Sequence, residues 1–331
     1  MKAIVYTKYG SADVLQLQEV AKPEPAANQV LIKVHAASIN ALDYRRFEKI
    51  SFMGRLMEER MIKSVGKALG ADIAGQVEAV GASVKQFQPG DEVFGVSAGS
   101  VGGFAEYACA AEDKLSLKPA NLSFEAAAAV PVASVTALQG LRNKGQIQPG
   151  QKVLINGASG GVGTFAVQIA KSFGTEVTGV CSSRNLDMAR SIGADHVIDY
   201  TKDDFTKNGQ RYDLIFAVNG YHPLSAYQRA LNPQGNYVCA GGALSQIFQA
   251  MFLGSWLSRK RGKKMGFMGI AKTNQKDLVY MGELLEAGKV VPAIERYYPL
   301  SEVAAAIRYL AEGHAQGKVV ITVAHDTKAT V

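Results

Sequence analysis

Cysteine is scarce: Cys109, Cys181 and Cys239 are the only three in 331 residues, far apart and without a Cys-x-x-Cys pair. That scarcity excludes a disulfide framework and a structural zinc lobe, and it points to a reducing compartment. No uninterrupted apolar run is long enough to span a bilayer. The N-terminus, Met1-Lys2-Ala3-Ile4-Val5-Tyr6, goes straight into a strand pattern, with no secretory apolar region and no Arg- and Ser-rich transit segment. A soluble, cytoplasmic protein is the expectation. Internal repeats and low-complexity tracts are missing too, so solenoids and linkers drop out. Acid is not in excess: the net charge is +7, which fits an anionic ligand and leaves nucleic acid or a membrane surface open as a partner. Much of the excess sits at Arg259, Lys260, Arg261, Lys263 and Lys264, after an apolar segment, Phe248 to Leu257, that holds Met251, Phe252 and Trp256. Such a run reads first as a solvated connection and second as a contact for acidic lipid or a partner.

Glycine is abundant in one place. Val153, Leu154 and Ile155 make a short β-branched run of the kind that fills a buried parallel strand. It stops at Gly157, and Gly157, Gly160, Gly161 and Gly163 then crowd one turn. With those β-carbons gone the backbone can bend sharply and bring its N–H groups close to an anion. From Val162 the pattern turns helical, with Val162, Phe165, Ala166 and Ile169 on one face. Strand, glycine turn and helix in that order put the positive end of a helix dipole where a pyrophosphate would sit. Glu176 to Val180 reads as a second strand and His196 to Tyr200 as a third, with a helix closing between them at Ala189 to Gly193, which supplies the βαβ spacing.

The end of the second strand bears on the choice of dinucleotide. An NAD site keeps an Asp or Glu about 20 residues past the glycines for the ribose hydroxyls. Here the chain reads Cys181-Ser182-Ser183-Arg184, with no acid. A hydroxyl pair followed by a guanidinium suits a 2′-phosphate, so NADPH is the expected cofactor. The alternative is that Ser183 caps the next helix and Arg184 is solvated.

Taken in order, residues 1–122 read as short strands and turns: Lys2 to Thr7, Val14 to Val20, Gln29 to Ala36, Ala71 to Gly81 and the turn at Pro89-Gly90-Asp91 feeding another. A short helical pattern covers Ser38 to Phe47. Such a region fits a barrel-like β domain. Near Leu122 the composition changes: Ser123-Phe124-Glu125 opens an Ala-rich helix interrupted by Pro131, and βα alternation follows to Ile270. Strand candidates at 152–156, 176–181, 196–199, 213–218, 236–240 and 265–270 match a doubly wound parallel sheet. The tail, 271–331, carries helices at Gln275 to Ala287 and Ser301 to Glu312 and a strand at Lys318 to Val323, and it reads as a return to the first domain. The expected class is α/β: a doubly wound Rossmann sheet over 123–270 and a β domain made of 1–122 and 271–331.

This order of parts resembles the medium-chain dehydrogenase/reductase superfamily, and within it the zinc-free quinone oxidoreductase branch with zeta-crystallin-like and enone or alkenal reductases. The motifs that carry the resemblance are Val80-Gly81 through Pro89-Gly90-Asp91-Glu92-Val93, Pro131 through Thr136-Ala137, Asn156-Gly157-Ala158-Ser159-Gly160-Gly161-Val162-Gly163, Ile192-Gly193-Ala194-Asp195 and Gly317-Lys318-Val319. It implies a GroES-like first domain. Zinc members use Cys-x-x-Asp and Gly-His-Glu, where this chain has Asn40-Ala41-Leu42-Asp43 and Gly70-Ala71-Asp72. An amide replaces the thiolate and a methyl the imidazole, so no metal is expected. The implied activity is NADPH-dependent hydride transfer to a quinone or to the activated C=C of an α,β-unsaturated carbonyl compound, with a site in a cleft between the domains. Alternatives are a zinc-independent reductase of another carbonyl substrate and a non-catalytic relative that binds RNA or a partner.

By the same resemblance Asn40 and Tyr44 border the substrate pocket, with Asp43 and Arg46 close by. Their other readings are a helix cap for Asn40, packing for Tyr44 and a surface pair for Asp43 with Arg46. Thr136 falls near the nicotinamide, and Ser159, Gly160, Gly161 and Val162 near the pyrophosphate. Ser182, Ser183, Arg184 and Tyr200 fall near the 2′-phosphate. Asn219, Cys239 and Gly241 stand at later strand ends, Phe267 and Met268 on the sixth strand, and Lys318 in the returning tail. Strand-end packing competes as a reading, above all for Cys239 and Phe267. Between Lys49 and Lys67, Phe52, Met53, Met57 and Met61 read as an amphipathic helix or as an adaptable apolar entrance. A homodimer through the 265–270 edge strand is the implied assembly.

Overall fold

The computed structural model describes residues 1–6, 10–45, 69–98, 102–254 and 264–325. Arg46, the 49–67 segment, Trp256 and the basic residues 259–263 therefore lie outside the described residues.

The chain forms two compact units, one of residues 1–132, 273–286 and 294–331 and one of residues 133–272 and 287–293. In the first, β1 (Lys2–Val5) pairs with β2 (Gln16–Glu19) as a ribbon. The main sheet takes β3 (Gln29–Ser38), β4 (Asp72–Val80), β5 (Glu92–Val96), β6 (Tyr107–Ala111) and β7 (Leu115–Leu117). Alternation of Val30, Ile32 and Val34 buries one row of β3 with Ile73, Phe104 and, from the tail, Val319 and Ile321. Each large apolar side chain so buried contributes roughly 1.5–3 kcal/mol. The expected strand from Val14 starts later: Ser11 accepts a hydrogen bond from Asp13 N and caps a turn over Ala12–Val14. The cap satisfies backbone groups that a strand there would leave unpaired at the ribbon's end. Helix α1 (Ala41–Arg45) follows β3 directly. Helix α2 (Phe124–Ala128), capped by Ser123, buries Ala127 and Ala128, and the first unit continues to Val132, inside helix α3 (Pro131–Leu138).

The second unit holds β8 (Lys152–Asn156), helix α4 (Gly161–Ser172), β9 (Glu176–Cys181), helix α5 (Leu186–Ser191), β10 (His196–Asp199), β11 (Tyr212–Ala217), helix α6 (Leu224–Ala230), β12 (Leu231–Cys239), helix α7 (Leu244–Phe252) and β13 (Lys264–Phe267). The strand order β10-β9-β8-β11-β12-β13, all parallel, is a doubly wound sheet whose order reverses at β8. Its last strand ends at Phe267 rather than at Ile270: Met268 N makes the last ladder bond, to Cys239 O at 2.9 Å, and Gly269 then takes a φ of +80°, which leaves the extended conformation. Helix α8 (Gln275–Glu286), β14 (Ile294–Pro299), helix α9 (Val303–Ala311) and β15 (Lys318–Thr322) complete the chain. β15 runs antiparallel to β3, pairing Val320 with Ser38. The tail thus returns to the first sheet.

Candidate functional site

In the second unit the strand registers set one crest. Asn156 of β8 lies beside Val180 and Ala217, Ala217 beside Cys239, Cys239 beside Phe267, and Cys181 beside Asp199. The glycine turn rises from this edge at the strand-order reversal. Gly157 has φ +90°, and a β-carbon there would meet Asn219 Cβ at 2.9 Å. At Gly163 a β-carbon would stand 2.0 Å from Gly157 O, so only glycine lets α4 pack against the turn. Gly160 differs: its φ is −83°, and an added β-carbon would meet nothing nearer than Gly157 O at 3.8 Å. Gly160 is itself the N-cap residue that begins α4, a helix with no side-chain cap. Uncapped first-turn N–H groups beside a bare glycine backbone are a cradle that fits a diphosphate.

Beside that turn the structure links Ser159, Ser182 and Asn185 by hydrogen bonds. Ser159 on the turn accepts a hydrogen bond from Asn185 Nδ2 at 2.9 Å, and Asn185 also reaches Ser182 Oγ at 3.2 Å. Asn185 is 3% exposed, and its Oδ1 has no partner among the described residues. This amide ties turn to rim. A buried Asn two residues past a Ser pair carries no pattern of its own, which hides it in the sequence. Ser183 and Arg184 are exposed beside it, and Tyr200, also exposed, is held at the end of β9 by its N–H on Cys181 O at 3.1 Å.

The rim is not free of acid, as the β9 sequence alone implied. Asp199, at the end of β10, accepts the Ser183 hydroxyl at 2.5 Å, the Thr201 hydroxyl at 2.7 Å and Thr201 N at 3.0 Å. Hydrogen bonds from Ser183 and Thr201 hold its carboxyl well below the usual range, at about 2. The acid comes from the neighbouring strand, so its place at the rim is set by pairing. Ser183, its proton given to Asp199, can accept but not donate there. Lys202 Nζ lies 3.7 Å from Asp199 Oδ2, and Arg184 is a second, exposed cation at this rim.

Other candidates separate. Val218 N and Asn219 N both donate to Asn156 O, and Gly241 N donates to Ala217 O, so these backbones stand on the crest. Phe267 and Met268 are half-buried beside them, and Thr136 is half-buried on α3. The Cys239 side chain is fully buried with Sγ 3.4 Å from Gly241 O. Burial pushes all three thiols up, Cys181 to about 11 with help from Asp199, which leaves none of them a thiolate at neutral pH.

The remaining candidates lie in the first unit. Asp43 is buried, accepting from Asn40 N at 2.7 Å and Gly70 N at 3.1 Å, and its expected pairing with Arg46 lies outside the described residues. Tyr44 packs half-buried on the core. Asn40 Nδ2 donates to Asp72 Oδ2 at 2.8 Å, and Lys318 Nζ donates to Asn40 Oδ1 at 2.8 Å. Lys318 is 3% exposed and also reaches Asp72 Oδ2 at 3.2 Å and Ile39 O at 3.1 Å. All its N–H donors are thus engaged by residues of the first unit. Asp72 and Lys318 are joined by Ser38 Oγ, 2.7 Å from Asp72 Oδ2.

Two family models match: "Alcohol dehydrogenase GroES-like domain" over residues 26–120 and "Zinc-binding dehydrogenase" over residues 192–321. A 2-methylene-furan-3-one reductase of Solanum lycopersicum is 36% identical over 334 residues, covering 97% of this chain and 79% of that one. The chain belongs to the medium-chain dehydrogenase/reductase superfamily. Among other members, an NADPH-dependent alkenal/one oxidoreductase, chloroplastic, of Arabidopsis thaliana is 33% identical over 97% of this chain and 79% of its own. The quinone oxidoreductase structure from Coxiella burnetii superposes with a TM-score of 0.84 at 32% identity, covering 98% of this chain and 99% of that one. The superfamily's fold, a GroES-like unit with a Rossmann unit, is the one described above.

The zinc in one model's description does not fit this member. At the superfamily's metal position stand an amide and a carboxylate already bonded to Ser38, Asn40 and an ammonium, and Lys318 Nζ lies 3.2 Å from Asp72 Oδ2, where a cation would have to bind. No group of three His, Cys, Asp or Glu converges among the described residues. Nor, among them, is any helix long and apolar enough to cross a membrane.

Proposed function

We propose that this member reduces quinones or the activated C=C bond of α,β-unsaturated carbonyl compounds with NADPH. The observation that carries the reading is the Gly160 cradle: a turn whose open side needs no side chain removed and whose helix start is uncapped. The named activities of the relatives, enone, alkenal and quinone reduction, support the acceptor class. When bound, the nicotinamide supplies the hydride.

The chain's part is to bind and orient. Gly161 and Val162 present backbone N–H groups to the pyrophosphate over the open side of Gly160, whose own N–H is turned inward to Gly157 O, with Ser159 held beside them by Asn185. Arg184, with Ser182 and Tyr200, takes the 2′-phosphate through the guanidinium fork. Thr136, Asn219, Gly241, Phe267, Met268 and the backbone of Cys239 border the nicotinamide half, and Asn40 with Tyr44 meets the acceptor. Reduction at a β-carbon builds negative charge on the carbonyl oxygen, and a fixed N–H close to it lowers that barrier. Three buried free thiols support a reducing, cytoplasmic setting. β13, last in its sheet, supports a homodimer through that edge.

An NADPH-oxidation screen over quinones, enones, enals and simple ketones tests the reading. Turnover with the first three classes and none with simple ketones is expected. Turnover confined to simple ketones, or none at all, overturns it.

A further inference from the structure

Asn40 is gripped at both ends of its amide. Its oxygen faces the ammonium of Lys318, a pure donor, and its nitrogen faces the carboxylate of Asp72, a pure acceptor, each at 2.8 Å. That chemistry fixes which way the amide points and leaves it no reason to flip. The grip is itself held. Asp72 Oδ1 accepts Val132 N at 2.9 Å and Oδ2 accepts Ser38 Oγ at 2.7 Å, while Lys318 anchors on Ile39 O at 3.1 Å. The backbone of Asn40 is pinned separately by Asp43. Lys318 and Asp72 are 3% and 0% exposed, and a buried ion pair is a poor device for stability alone, since apolar side chains of like volume do as well or better. What apolar side chains cannot do is orient an amide.

From this geometry we infer that Lys318 and Asp72 are positioning residues: they hold the Asn40 amide so that its second Nδ2–H, which has no partner among the described residues, is presented as a fixed donor to the acceptor's carbonyl oxygen. The inference rests on the proposed reductase reading for the identity of that oxygen, but the grip on Asn40 does not. It also gives Lys318 a role other than cofactor contact.

The test uses the full chain with Lys318→Met, Lys318→Arg and Asn40→Ala, alone and combined. With NADPH and a conjugated enone, Lys318→Met lowers kcat by roughly 10- to 100-fold, as expected when a donor is misplaced by an ångström. The NADPH dissociation constant, read by fluorescence, stays within about 2-fold because the grip and the nucleotide cradle share no residue or hydrogen-bond partner. In the Asn40→Ala background the same substitution adds nothing further, since the group it positions is gone. An equal further loss there, or an unchanged kcat in Lys318→Met, overturns the inference. A second readout is independent of turnover: the Asn40 side-chain amide resonances, assigned by their loss in Asn40→Ala, are protected from solvent exchange in the wild type and lose protection in Lys318→Met. Unchanged protection overturns the grip. Should Lys318→Met not fold, Lys318→Arg, which keeps the charge and misplaces it, shifts the same resonances. If the wild type turns over no acceptor, the reductase reading fails while the resonances still decide the grip.

Discussion

Gly160 and Gly163 share one turn but answer to different constraints. A β-carbon at Gly163 collides with the carbonyl of Gly157, and one at Gly160 points into open space. Gly163→Ala therefore lowers the melting temperature, whereas Gly160→Ala leaves it unchanged and raises the NADPH dissociation constant by about 10-fold or more, as thermal melts and fluorescence titration will show. Equal effects of the two on stability contradict the cradle. On the proposed reading Arg184 carries the choice of coenzyme in the same direct way. Losing a charge-assisted contact of about 1.5–3 kcal/mol, Arg184→Ala raises KM for NADPH roughly 10- to 100-fold and leaves KM for NADH nearly unchanged. A parallel rise for both coenzymes would remove Arg184 from the 2′-phosphate. These residues were legible from the sequence because each sits in a local pattern, the glycines in a turn and the arginine at a strand end. Asp199, Asn185 and the grip on Asn40 were not. Asp199 meets Ser183 only through the pairing of β9 with β10, and Lys318 stands 278 residues from Asn40 and 246 from Asp72 along the chain.

Elements were read more reliably where their hydrophobic pattern is long or buried. The first three strands of the Rossmann sheet, at 152–156, 176–181 and 196–199, occupy the expected residues, because β-branched runs bounded by glycine and helix caps leave no other register. The sixth is shorter than its apolar letters imply, and the second strand of the chain starts later, after a capped turn, both decided by local backbone geometry that hydrophobicity does not encode. The segment after β10 has its own signature. Asp199 and Asp204 both titrate at about 2: at Asp199 hydrogen bonds from Ser183 and Thr201 lead, and at Asp204 burial opposes but bonds from Thr206 and Lys207 outweigh it. Both carboxyls are depressed below their unfolded value near 3.9, so their stabilisation is present in full above about pH 4 and disappears as pH falls towards 2. Urea melts across that window should show stability falling, and Asp199→Asn with Asp204→Asn should flatten the slope. A slope unchanged in the double variant contradicts the assignment.

At the scale of the whole molecule, the alternation of a β unit, a βα unit and a returning tail is what made the fold readable. A tail strand returning to the first unit could be anticipated from its apolar run; its pairing with β3 and β14 could not. The open side of β13 leads to an expectation for the assembly: light scattering on the purified chain gives the mass of a dimer, and a monomer at micromolar concentration contradicts the edge-strand contact. For the chemistry, finally, we propose a metal-free hydride transfer that polarisation at Asn40 assists. Its most direct test is to supply NADPH deuterated at the transferring position together with a conjugated enone and to locate the label in the product by mass spectrometry and NMR. The account predicts deuterium on the β-carbon of a saturated ketone, at a rate that survives exhaustive chelation. Label on a carbinol carbon, or transfer that stops when metal is removed, would contradict it.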